Sequence, residues 1–416
     1  MAEAAGPASI AEWLAEGHRL RENKEPAAAL EAYRRAVHLA PNDLSLRFNI
    51  GLVLLDLNRP EEALVWAGQA ASAEHVHLPS YTSMGEAFLR LGRHEDALPW
   101  FEKLLAIEPR DVQARLGRGL TLLGMGQLLD GFMGFEARLE DRRMGAWQPK
   151  GKYLPWRGDT DLRGRRILVS GEQGLGDNIM MARYLPMLRA RGAYVIVQVY
   201  SQLIKLLEPL ADLVVPHGQT PPAFALHIPM MSLPRAFRTT ITTIPATTPY
   251  LAATPATLKP PFGPRDLPRI GLAWSGNPNH PMDRQRSTSL AALRPLLARV
   301  EAEFHVLHMP MAPAERAVAA TLDRVVLHPE DRDFDATASL VAAMDLVICV
   351  DTSIAHLAGA LGRPVWLLLA GPSDFRWLRD RRDSPWYPTM RLFRRAKVGD
   401  WAAMVEDVID AWHEAN

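Results

Sequence analysis

Small residues in the first third of the chain recur with a period of 34 residues. A repeat of this length indicates a solenoid, in which each unit is a pair of helices that buries its apolar face against the next pair. Small residues at fixed positions let the two helices cross closely, and larger apolar residues fill the core between them. The recurring small residues are Gly17, Gly51, Gly85 and Gly119, followed at a constant offset by Ala29, Ala63, Ala97 and Gly131.

An aromatic residue also recurs at one common position, and a proline marks the end of the first and third repeats. This pattern resembles the tetratricopeptide repeat, and the phase predicts four such repeats in residues 1–145. In the second and fourth repeats His75 and Arg143 replace the proline, so we expect looser turns there. The residues that carry the pattern are Tyr33, Phe101, Phe135, Pro41 and Pro109.

The resemblance implies a concave surface that holds a peptide or another protein. Residues 1–145 contain 16 Lys and Arg against 21 Asp and Glu, so a basic or neutral partner is favoured. The alternative is that the array packs on the following domain or mediates self-association.

A second pattern lies near the carboxyl end of the chain. Residues 346–350 form a short apolar run rich in β-branched side chains, which predicts a buried strand. Residues 354–361 have helical spacing, and Gly362 and Pro364 stop this helix. Residues 365–369 are the next apolar run. The order strand, polar turn, helix, strand predicts one βαβ unit of a parallel sheet.

The polar turn of this unit lies at the carboxyl end of a strand and the amino end of a helix. The free N–H groups and the helix dipole there favour an anion. The stretch reads D-T-S-I-A-H-L-A-G-A-L-G-R-P. It resembles the donor-site motif of the heptosyltransferase-like glycosyltransferases (family 9), which have a GT-B fold and hold the diphosphate of a nucleotide sugar at this turn. The resemblance implies that Asp351, Thr352, Ser353 and His356 face the donor. The alternative is an ordinary βαβ turn with a capping Thr and a packed His.

An earlier glycine-rich turn predicts a second βαβ unit. Residues 166–170 read as a strand, 179–191 as a helix and 193–199 as the next strand. The turn G-L-G-D-N is similar to the amino-terminal loop of the same family, whose Asp faces the acceptor. The resemblance implies that Asp177 is the general base, a role that a carboxylate at a cleft-facing turn suits. Glu172 is a rival base in the same loop, and Asp177 also suits a helix N-terminus.

Two further loops carry candidate donor contacts. In the family, the loop after the strand that begins at Arg269 supplies a hydroxyl and a basic residue; the usual lysine is absent here, and arginine can replace it as a bidentate partner of a diphosphate. The alternative is a loop held by ion pairs from Asp283 to arginine. The segment G-P-S-D-F-R-W, residues 371–377, matches the family's loop near the nucleotide sugar. The candidate donor contacts are Trp274, Ser275, Asn277, Arg284, Arg286, Asp351, Thr352, Ser353, His356, Pro372, Asp374 and Arg376.

The predicted fold is therefore an α-solenoid of tetratricopeptide repeats followed by a GT-B-like pair of Rossmann-type α/β lobes. We also expect a helix at 201–210, strands at 304–309 and 325–328, and a helix at 336–344. A last amphipathic helix spans 401–413, and in GT-B enzymes such a helix often crosses back to the first lobe. The predicted divisions are repeats 1–145, an irregular connector 146–165 that packs on the α/β part, an acceptor-side lobe 166–262, a nucleotide-sugar lobe 263–398 and a C-terminal helix 399–416.

Charge and composition narrow the class of protein. The formal net charge is zero, but residues 1–145 carry −5 and the remainder +5, which fits an anionic ligand in the second part. The single cysteine, Cys349, excludes an intramolecular disulfide and suits a reducing compartment. We expect no secretory signal, because the first residues form neither a basic nor an apolar region, and no apolar run approaches the roughly 18 residues of a membrane span. We therefore expect a cytoplasmic protein without a transmembrane segment or a nucleic-acid partner.

The metal signals are also absent from the sequence. The 13 histidines are scattered, with no H-x-x-x-H or D-x-D pair at a strand end. The resemblance then implies a metal-independent, inverting transfer of a sugar from a nucleotide-diphosphate donor, with no other cofactor. A protein acceptor would be recruited by the repeats. One alternative is a catalytically silent scaffold or peptide-binding protein, which the short first lobe and the missing lysine favour. Another is a heptosyltransferase acting on lipopolysaccharide core.

Overall fold

The chain folds into two compact units, Met1–Gly145 and Ala146–Asn416. The first is helical and the second is α/β. The computed structural model describes residues 9–71, 77–141, 149, 153–253, 266–277, 283–308, 311–330, 333–369, 371–372, 374–395 and 400–415, with the backbone alone at 284 and 285.

In the described residues of the first unit, eight α-helices follow one another and each packs on the next. This is the helix-pair solenoid that the period of 34 residues predicts, and the fold class is confirmed. A short 3₁₀ turn, Glu136–Leu139, follows the last helix. The helices are α1 (Ile10–Glu22), α2 (Pro26–Leu39), α3 (Leu44–Asp56), α4 (Pro60–Ala71), α5 (Pro79–Arg90), α6 (His94–Ile107), α7 (Val112–Gly124) and α8 (Leu128–Phe135).

Recurrent glycines permit the close approach of paired helices. A Cβ added at Gly17 would lie 2.3 Å from Cε1 of Tyr33, and one added at Gly85 would lie 2.5 Å from Cζ of Phe101. The aromatic ring thus occupies the space that the glycine leaves. In the second repeat the aromatic position holds Ala67, and a Cβ at Gly51 would meet it at an ordinary 3.5 Å.

The helix ends also follow the sequence. Helix α2 ends at Leu39 and α6 at Ile107, each just before the proline that marks the end of a repeat. Proline cannot continue the backbone hydrogen bonding of a helix, so it fixes these ends. The positions of His75 and Arg143 lie outside the described residues.

The second unit contains two parallel sheets, and the first has five strands in the order β1-β5-β2-β3-β4. We call this sheet and its helices the first lobe. Strand β2 pairs with β3 and with β5, so it is central. The edge strand β1 comes from the segment predicted to be an irregular connector, which therefore joins the sheet. The strands are β1 (Leu154–Pro155), β2 (Arg166–Ser170), β3 (Tyr194–Val199), β4 (Leu213–Pro216) and β5 (Leu226–Pro229).

The helices of the first lobe are shorter than predicted. The helix expected at 179–191 begins earlier, at Leu175, and is interrupted by a 3₁₀ turn, Ala182–Tyr184, before Pro186. The helix expected at 201–210 is divided into two 3₁₀ turns with the short helix Ile204–Leu207 between them, and Pro209 has no N–H to continue that helix. The helices are α9 (Leu175–Met181), α10 (Leu185–Ala190), α11 (Ile204–Leu207) and α12 (Leu233–Ala236).

The second sheet has six parallel strands in the order β11-β10-β9-β6-β7-β8, and it forms the second lobe with its helices. The βαβ unit predicted at 346–369 is present with its strands at the predicted residues. Strands β7 and β8 are shorter than predicted. The strands are β6 (Arg269–Ala273), β7 (Glu303–Val306), β8 (Val325–Val326), β9 (Leu346–Val350), β10 (Val365–Leu369) and β11 (Met390–Arg394).

In the described residues, the last helix packs within the second lobe and does not make the expected crossing to the first lobe. Its buried residues Met404, Val405, Val408 and Ile409 join the core of the second lobe. It packs on the helix Leu290–Arg299 there. The helices of this lobe are α13 (Asp283–Arg286), α14 (Leu290–Arg299), α15 (Pro313–Ala319), α16 (Phe334–Ala342), α17 (Ser353–Ala360) and α18 (Trp401–Ala415). Among the helices described, none has both the length and the apolar character that crossing a bilayer requires.

Candidate functional site

Each sheet has a topological switch point, where the connections from two neighbouring strands run in opposite directions. In the second lobe this point lies between β6 and β9, because β7 and β8 continue on one side and β10 and β11 on the other. In the first lobe it lies between β2 and β5. Open α/β sheets bind ligands at the carboxyl ends of the strands at such a point. The candidate residues all follow strands that flank these two points or lie beside them.

The turn after β9 ends in the helix N-terminus that the sequence predicts. Thr352 is the N-cap of α17, and its Oγ1 accepts a hydrogen bond of 3.3 Å from the N–H of Ile354. Thr352 and Ser353 are half-buried. The first N–H groups of a helix lack partners within the helix, so this turn has the donors and the dipole that an anion requires.

Asp351 precedes this turn and has an altered pKa. Burial raises the pKa of its carboxyl to about 6, and the neighbouring Asp374 adds to the rise, while the charges of Arg286 and Arg376 oppose it. These opposing charges converge around one carboxyl group. The turn after β9 is therefore flanked by charged groups from the loops that follow β6 and β10.

His356 lies in a closely packed part of α17. Its side chain is 4% exposed, and its Nδ1 is 3.0 Å from the hydroxyl of Tyr387. The ring stacks on Trp377 at 5.1 Å between centroids. Burial, aided by three nearby arginines, lowers its pKa well below the usual value, so the imidazole is neutral. His356 is therefore packed in the protein interior, as in the alternative interpretation of the sequence, and little of its ring is accessible to a ligand.

Gly176 explains how His356 packs against the first lobe. A Cβ added at Gly176 would lie 2.7 Å from Cδ2 of His356. Glycine thus permits α9 of the first lobe and α17 of the second lobe to approach closely. The glycine-rich motif of the first lobe and the D-T-S motif of the second lobe are therefore in contact.

The loop after β6 is held by a small hydrogen-bond network. Ser287 Oγ accepts from the N–H of Gly276 at 2.9 Å and donates to Asp283 Oδ1 at 2.9 Å. Arg286 Nε lies 3.5 Å from the same carboxylate oxygen. The predicted alternative, a loop held by an ion pair from Asp283, is therefore present. It also fixes Arg286 beside Asp351, on which its charge acts.

The other candidates of this loop have different environments. Trp274 is 1% exposed, and its indole donates a hydrogen bond of 3.2 Å to Glu315, so its side chain belongs to the core and offers no surface to a donor. Ser275 is half-buried and Asn277 is exposed. The side chain of Arg284 lies outside the described part of the structure.

The loop after β10 places a second arginine at the site. Asp374 accepts from the N–H of Arg376 at 3.0 Å and from its Nη1 at 2.5 Å. Arg376 is 9% exposed, and Pro372 at the start of the loop is half-buried. The carboxylate thus orients the guanidinium within its own loop.

The two candidate bases of the first lobe differ in their contacts. Glu172 Oε1 accepts a hydrogen bond of 3.0 Å from the N–H of Met231, which follows β5. Asp177 Oδ2 accepts from the N–H of Gly174 at 3.0 Å. The Glu172 contact joins the two loops that flank the switch point, which is a structural role for this carboxylate.

Asp177 also reaches the second lobe. Its Oδ1 forms an ion pair with Nη2 of Arg376, and the Asp177 side chain is 16% exposed. This contact brings together the residue predicted to serve as base and a residue predicted to bind the donor. The arrangement joins a carboxylate from one lobe to a guanidinium from the other at the carboxyl ends of both sheets.

Sequence reasoning assigned no role to five residues that connect the two lobes or pack on His356: Arg183, Tyr250, Trp377, Trp386 and Tyr387. Arg183 donates to the carbonyl oxygen of Trp386 at 2.6 Å and to the hydroxyl of Tyr250 at 3.2 Å. Tyr387 bonds His356, and Trp377 stacks on it. The only signal in the sequence was the aromatic content of residues 384–388, which does not identify a partner.

Chemically, the site combines cationic groups, helix N–H donors and carboxylates. The cations and α17 can hold a phosphate, and a carboxylate at the facing loop can take a proton. Within the residues that the structure describes, no three His, Cys, Asp or Glu side chains are grouped to hold a metal ion.

Comparison with protein families supports both parts of the chain. A model of the tetratricopeptide repeat matches residues 3–117, and a model of glycosyltransferase family 9 (heptosyltransferase) matches residues 314–378. The latter segment includes the turn after β9 and the loop after β10. The chain joins a tetratricopeptide region to a glycosyltransferase family 9-like region.

One curated relative shares much of the chain. Protein FlbA of Caulobacter vibrioides is 27% identical over 330 residues, which cover 68% of this chain and 52% of that protein. The chain thus matches about half the length of this relative. Its similarity fits the same combination of repeats and a glycosyltransferase-like region.

Several solved structures are similar to about a third of this chain. A thermophilic tetratricopeptide protein of Thermus thermophilus is 22% identical and covers 32% of this chain and 74% of its own, with a TM-score of 0.31. MamA is 22% identical with a TM-score of 0.30, covering 33% of this chain and 81% of its own. The type IV pilus biogenesis factor PilW is 23% identical with a TM-score of 0.30, covering 32% and 63%.

Proposed function

We propose that this chain transfers a sugar from a nucleotide-diphosphate donor to a hydroxyl group of a protein that the repeats recruit. The observation that carries the proposal is the contact of Asp177 with Arg376 across the two lobes. The contact supports the proposal because it joins a carboxylate, which can act as a base, to a guanidinium, which can bind a diphosphate. The family 9 match over residues 314–378 supports the same chemistry.

In the proposed reaction, the second lobe binds the donor. The first N–H groups of α17, with Thr352 at its N-cap, contact the diphosphate. Arg286 and Arg376 compensate its charge as the bond from the anomeric carbon to the phosphate oxygen breaks. The nucleoside diphosphate leaves with the electron pair of that bond.

The first lobe binds the acceptor hydroxyl in this proposal. Asp177 takes the proton of the acceptor hydroxyl while the hydroxyl oxygen attacks the anomeric carbon from the face opposite the phosphate. The configuration at that carbon therefore inverts. Positive charge for the leaving group comes from the two arginines and the helix terminus, which is the basis for proposing a metal-independent reaction. Glu172 is the weaker candidate for the base, because its carboxylate bonds the N–H of Met231.

The repeats are proposed to supply the acceptor. Helix α3 contacts α5 and α5 contacts α7, so the first helices of successive pairs form a continuous row. Such rows line the extended binding surfaces of helical-repeat proteins. Incubation of a cell extract with a radioactive donor distinguishes the two acceptors. Label in the protein fraction indicates a protein acceptor, and label in the lipid fraction indicates a lipopolysaccharide acceptor.

The donor is tested by calorimetric titration of the folded chain with ADP-, GDP- and UDP-linked sugars, and with a CMP-linked sugar, which has a single phosphate, for contrast. We expect one donor class to bind, and Arg286→Gln to weaken that binding. Arg294→Gln is the matched control, because Arg294 is exposed and belongs to α14 and not to the loops after β6, β9 and β10. If no donor binds to folded protein, the proposed function is wrong and the scaffold alternative is favoured.

A further inference from the structure

Arg376 bonds a carboxylate of its own lobe and a carboxylate of the first lobe. Asp374 bonds both its backbone N–H and its Nη1, so the residue is fixed within the second lobe. Its Nη2 reaches Asp177 in the first lobe. Guanidinium groups bind carboxylate and phosphate oxygens with the same charge-assisted geometry. Nη2 is therefore positioned where either anion can bind it.

Asp177, in turn, has both carboxylate oxygens engaged. Oδ2 accepts from the N–H of Gly174, and Oδ1 pairs with Arg376. A general base must have an oxygen within hydrogen-bond reach of the hydroxyl whose proton it takes. In the arrangement observed, the oxygen that faces the second lobe is occupied by the guanidinium.

We propose that the diphosphate of the donor and the carboxylate of Asp177 compete for Arg376, so that donor binding releases Asp177 to act on the acceptor. This inference rests on the proposed function and adds an order to it: the donor binds first. When a phosphate oxygen takes Nη2, Oδ1 of Asp177 is free to accept the proton of the hydroxyl. When the nucleoside diphosphate departs, the ion pair re-forms.

The other charges at the site are arranged consistently with this exchange. Arg286 acts electrostatically on Asp351, and Asp351 acts on Arg376. The bond from Asp374 keeps the Arg376 guanidinium in place when Asp177 leaves it. The competing explanation is a permanent tie between the lobes, in which Arg376 and Asp177 never separate. Removal of the carboxylate charge should tighten phosphate binding under the first explanation, and should leave it unchanged or weaken it under the second.

The experiment is a calorimetric titration with ADP, GDP, UDP and CDP as probes. It uses wild type, Asp177→Asn, Arg376→Gln and the double variant. Asparagine keeps an oxygen for the N–H of Gly174 and removes the competing charge. We expect Asp177→Asn to bind the preferred nucleotide about threefold to tenfold more tightly, because a competing charge-assisted bond is lost. Arg376→Gln should weaken binding about tenfold, and the double variant should match it.

The matched control is Asp383→Asn. It removes one negative charge from the same lobe as Arg376, but Asp383 pairs with Arg381 instead. Its affinity should stay within about twofold of wild type, since exposed pairs contribute little. This control separates local competition from a general change in the charge of the lobe.

The outcomes distinguish the inference from the function on which it rests. Unchanged or weaker binding by Asp177→Asn, with Arg376→Gln still weakened, overturns the competition and leaves Arg376 a donor contact. Failure of all four nucleotides to bind folded wild type overturns both. If Arg376→Gln does not fold, Arg376→Lys replaces it, and the tightening by Asp177→Asn should be smaller in that background because lysine lacks the bidentate fork.

Discussion

Arg183 of the first lobe donates a hydrogen bond of 2.6 Å to the carbonyl oxygen of Trp386 in the second lobe. Arg183 is buried, its Nε bonds the carbonyl oxygen of Met180 at 2.7 Å, and its guanidinium lies 4.6 Å from the ring of Tyr387. One side chain therefore satisfies backbone groups of both lobes. We expect this residue to be a main determinant of the stability of the α/β unit.

Replacing Arg183 tests this role. Arg183→Met keeps an unbranched side chain and removes every hydrogen bond, so it leaves buried carbonyl oxygens without donors. We expect the free energy of unfolding to fall by about 3 kcal/mol or more. Urea unfolding measures it. Arg189→Met, at a half-exposed position 3.5 Å from Asp212, is the control and should cost less than about 1 kcal/mol. Equal losses in both variants would contradict the assigned role.

Two helical glycines of the first unit should respond oppositely to alanine. In Gly85→Ala the new methyl would lie 2.5 Å from the ring of Phe101, so the ring must shift. We expect a loss of about 1–3 kcal/mol from overpacking. In Gly68→Ala the nearest atom is Sδ of Met84 at 3.8 Å. The higher helix propensity of alanine should then leave stability equal or raise it by up to about 1 kcal/mol. Thermal unfolding of the two variants gives the signs, and a loss at both sites would refute this packing of the repeats.

Asp351 should make stability depend on pH. Its folded pKa is raised from 3.8 to about 6, so the folded state holds the proton more tightly than the unfolded state. The stabilising contribution of the protonated carboxyl is fully present below pH 3.8 and is lost as the pH rises through about 6. The free energy of unfolding falls by at most about 3 kcal/mol over this range. His227 acts in the opposite direction, because burial lowers its pKa to about 4.

The difference between wild type and Asp351→Asn isolates the carboxyl group. His227 is present in both proteins, so its contribution cancels. We expect the variant to gain stability relative to wild type between about pH 4 and pH 7, measured by urea unfolding at each pH. A difference that is constant with pH would show that the Asp351 carboxyl has no raised pKa.

Catalytic turnover should distinguish the two candidate bases. Asp177→Asn should lower kcat about 100-fold or more, since the proposed proton acceptor is lost. Glu172→Gln keeps an oxygen for the N–H of Met231 and should cause a much smaller loss. Initial rates of nucleoside diphosphate release, measured with the donor found by titration, test both. A larger loss from Glu172→Gln would reverse the assignment.

Local sequence patterns predicted much of the fold. The small residues spaced by 34 positions predicted the helix pairs, because they let paired helices approach closely, as where Gly17 leaves room for the ring of Tyr33. The apolar run at 346–350 and the caps Thr352 and Ser353 predicted β9 and α17 nearly to the residue. Such features depend on neighbours in the chain. The broken helices at 182–184 and 201–210 were missed, although Pro186 and Pro209 are visible in the sequence.

The site was less predictable, because it depends on how the lobes meet. The pair of Asp177 with Arg376 joins residues 199 positions apart, and no local pattern links them. Arg183 was missed for the same reason. The orientation of Trp274 did have a signal, since it shares a face with Ile270 and Leu272, which are core residues of β6.

Binding of the donor at the ends of the second sheet is best measured by hydrogen–deuterium exchange of the intact chain, with and without the donor that titration identifies. We expect protection of the backbone amides at 352–355, where the first N–H groups of α17 bind the diphosphate, and in the loops at 275–277 and 374–376. Protection confined to the helical repeats or to other surfaces of the second lobe, or no protection with donor bound, would contradict the proposed site.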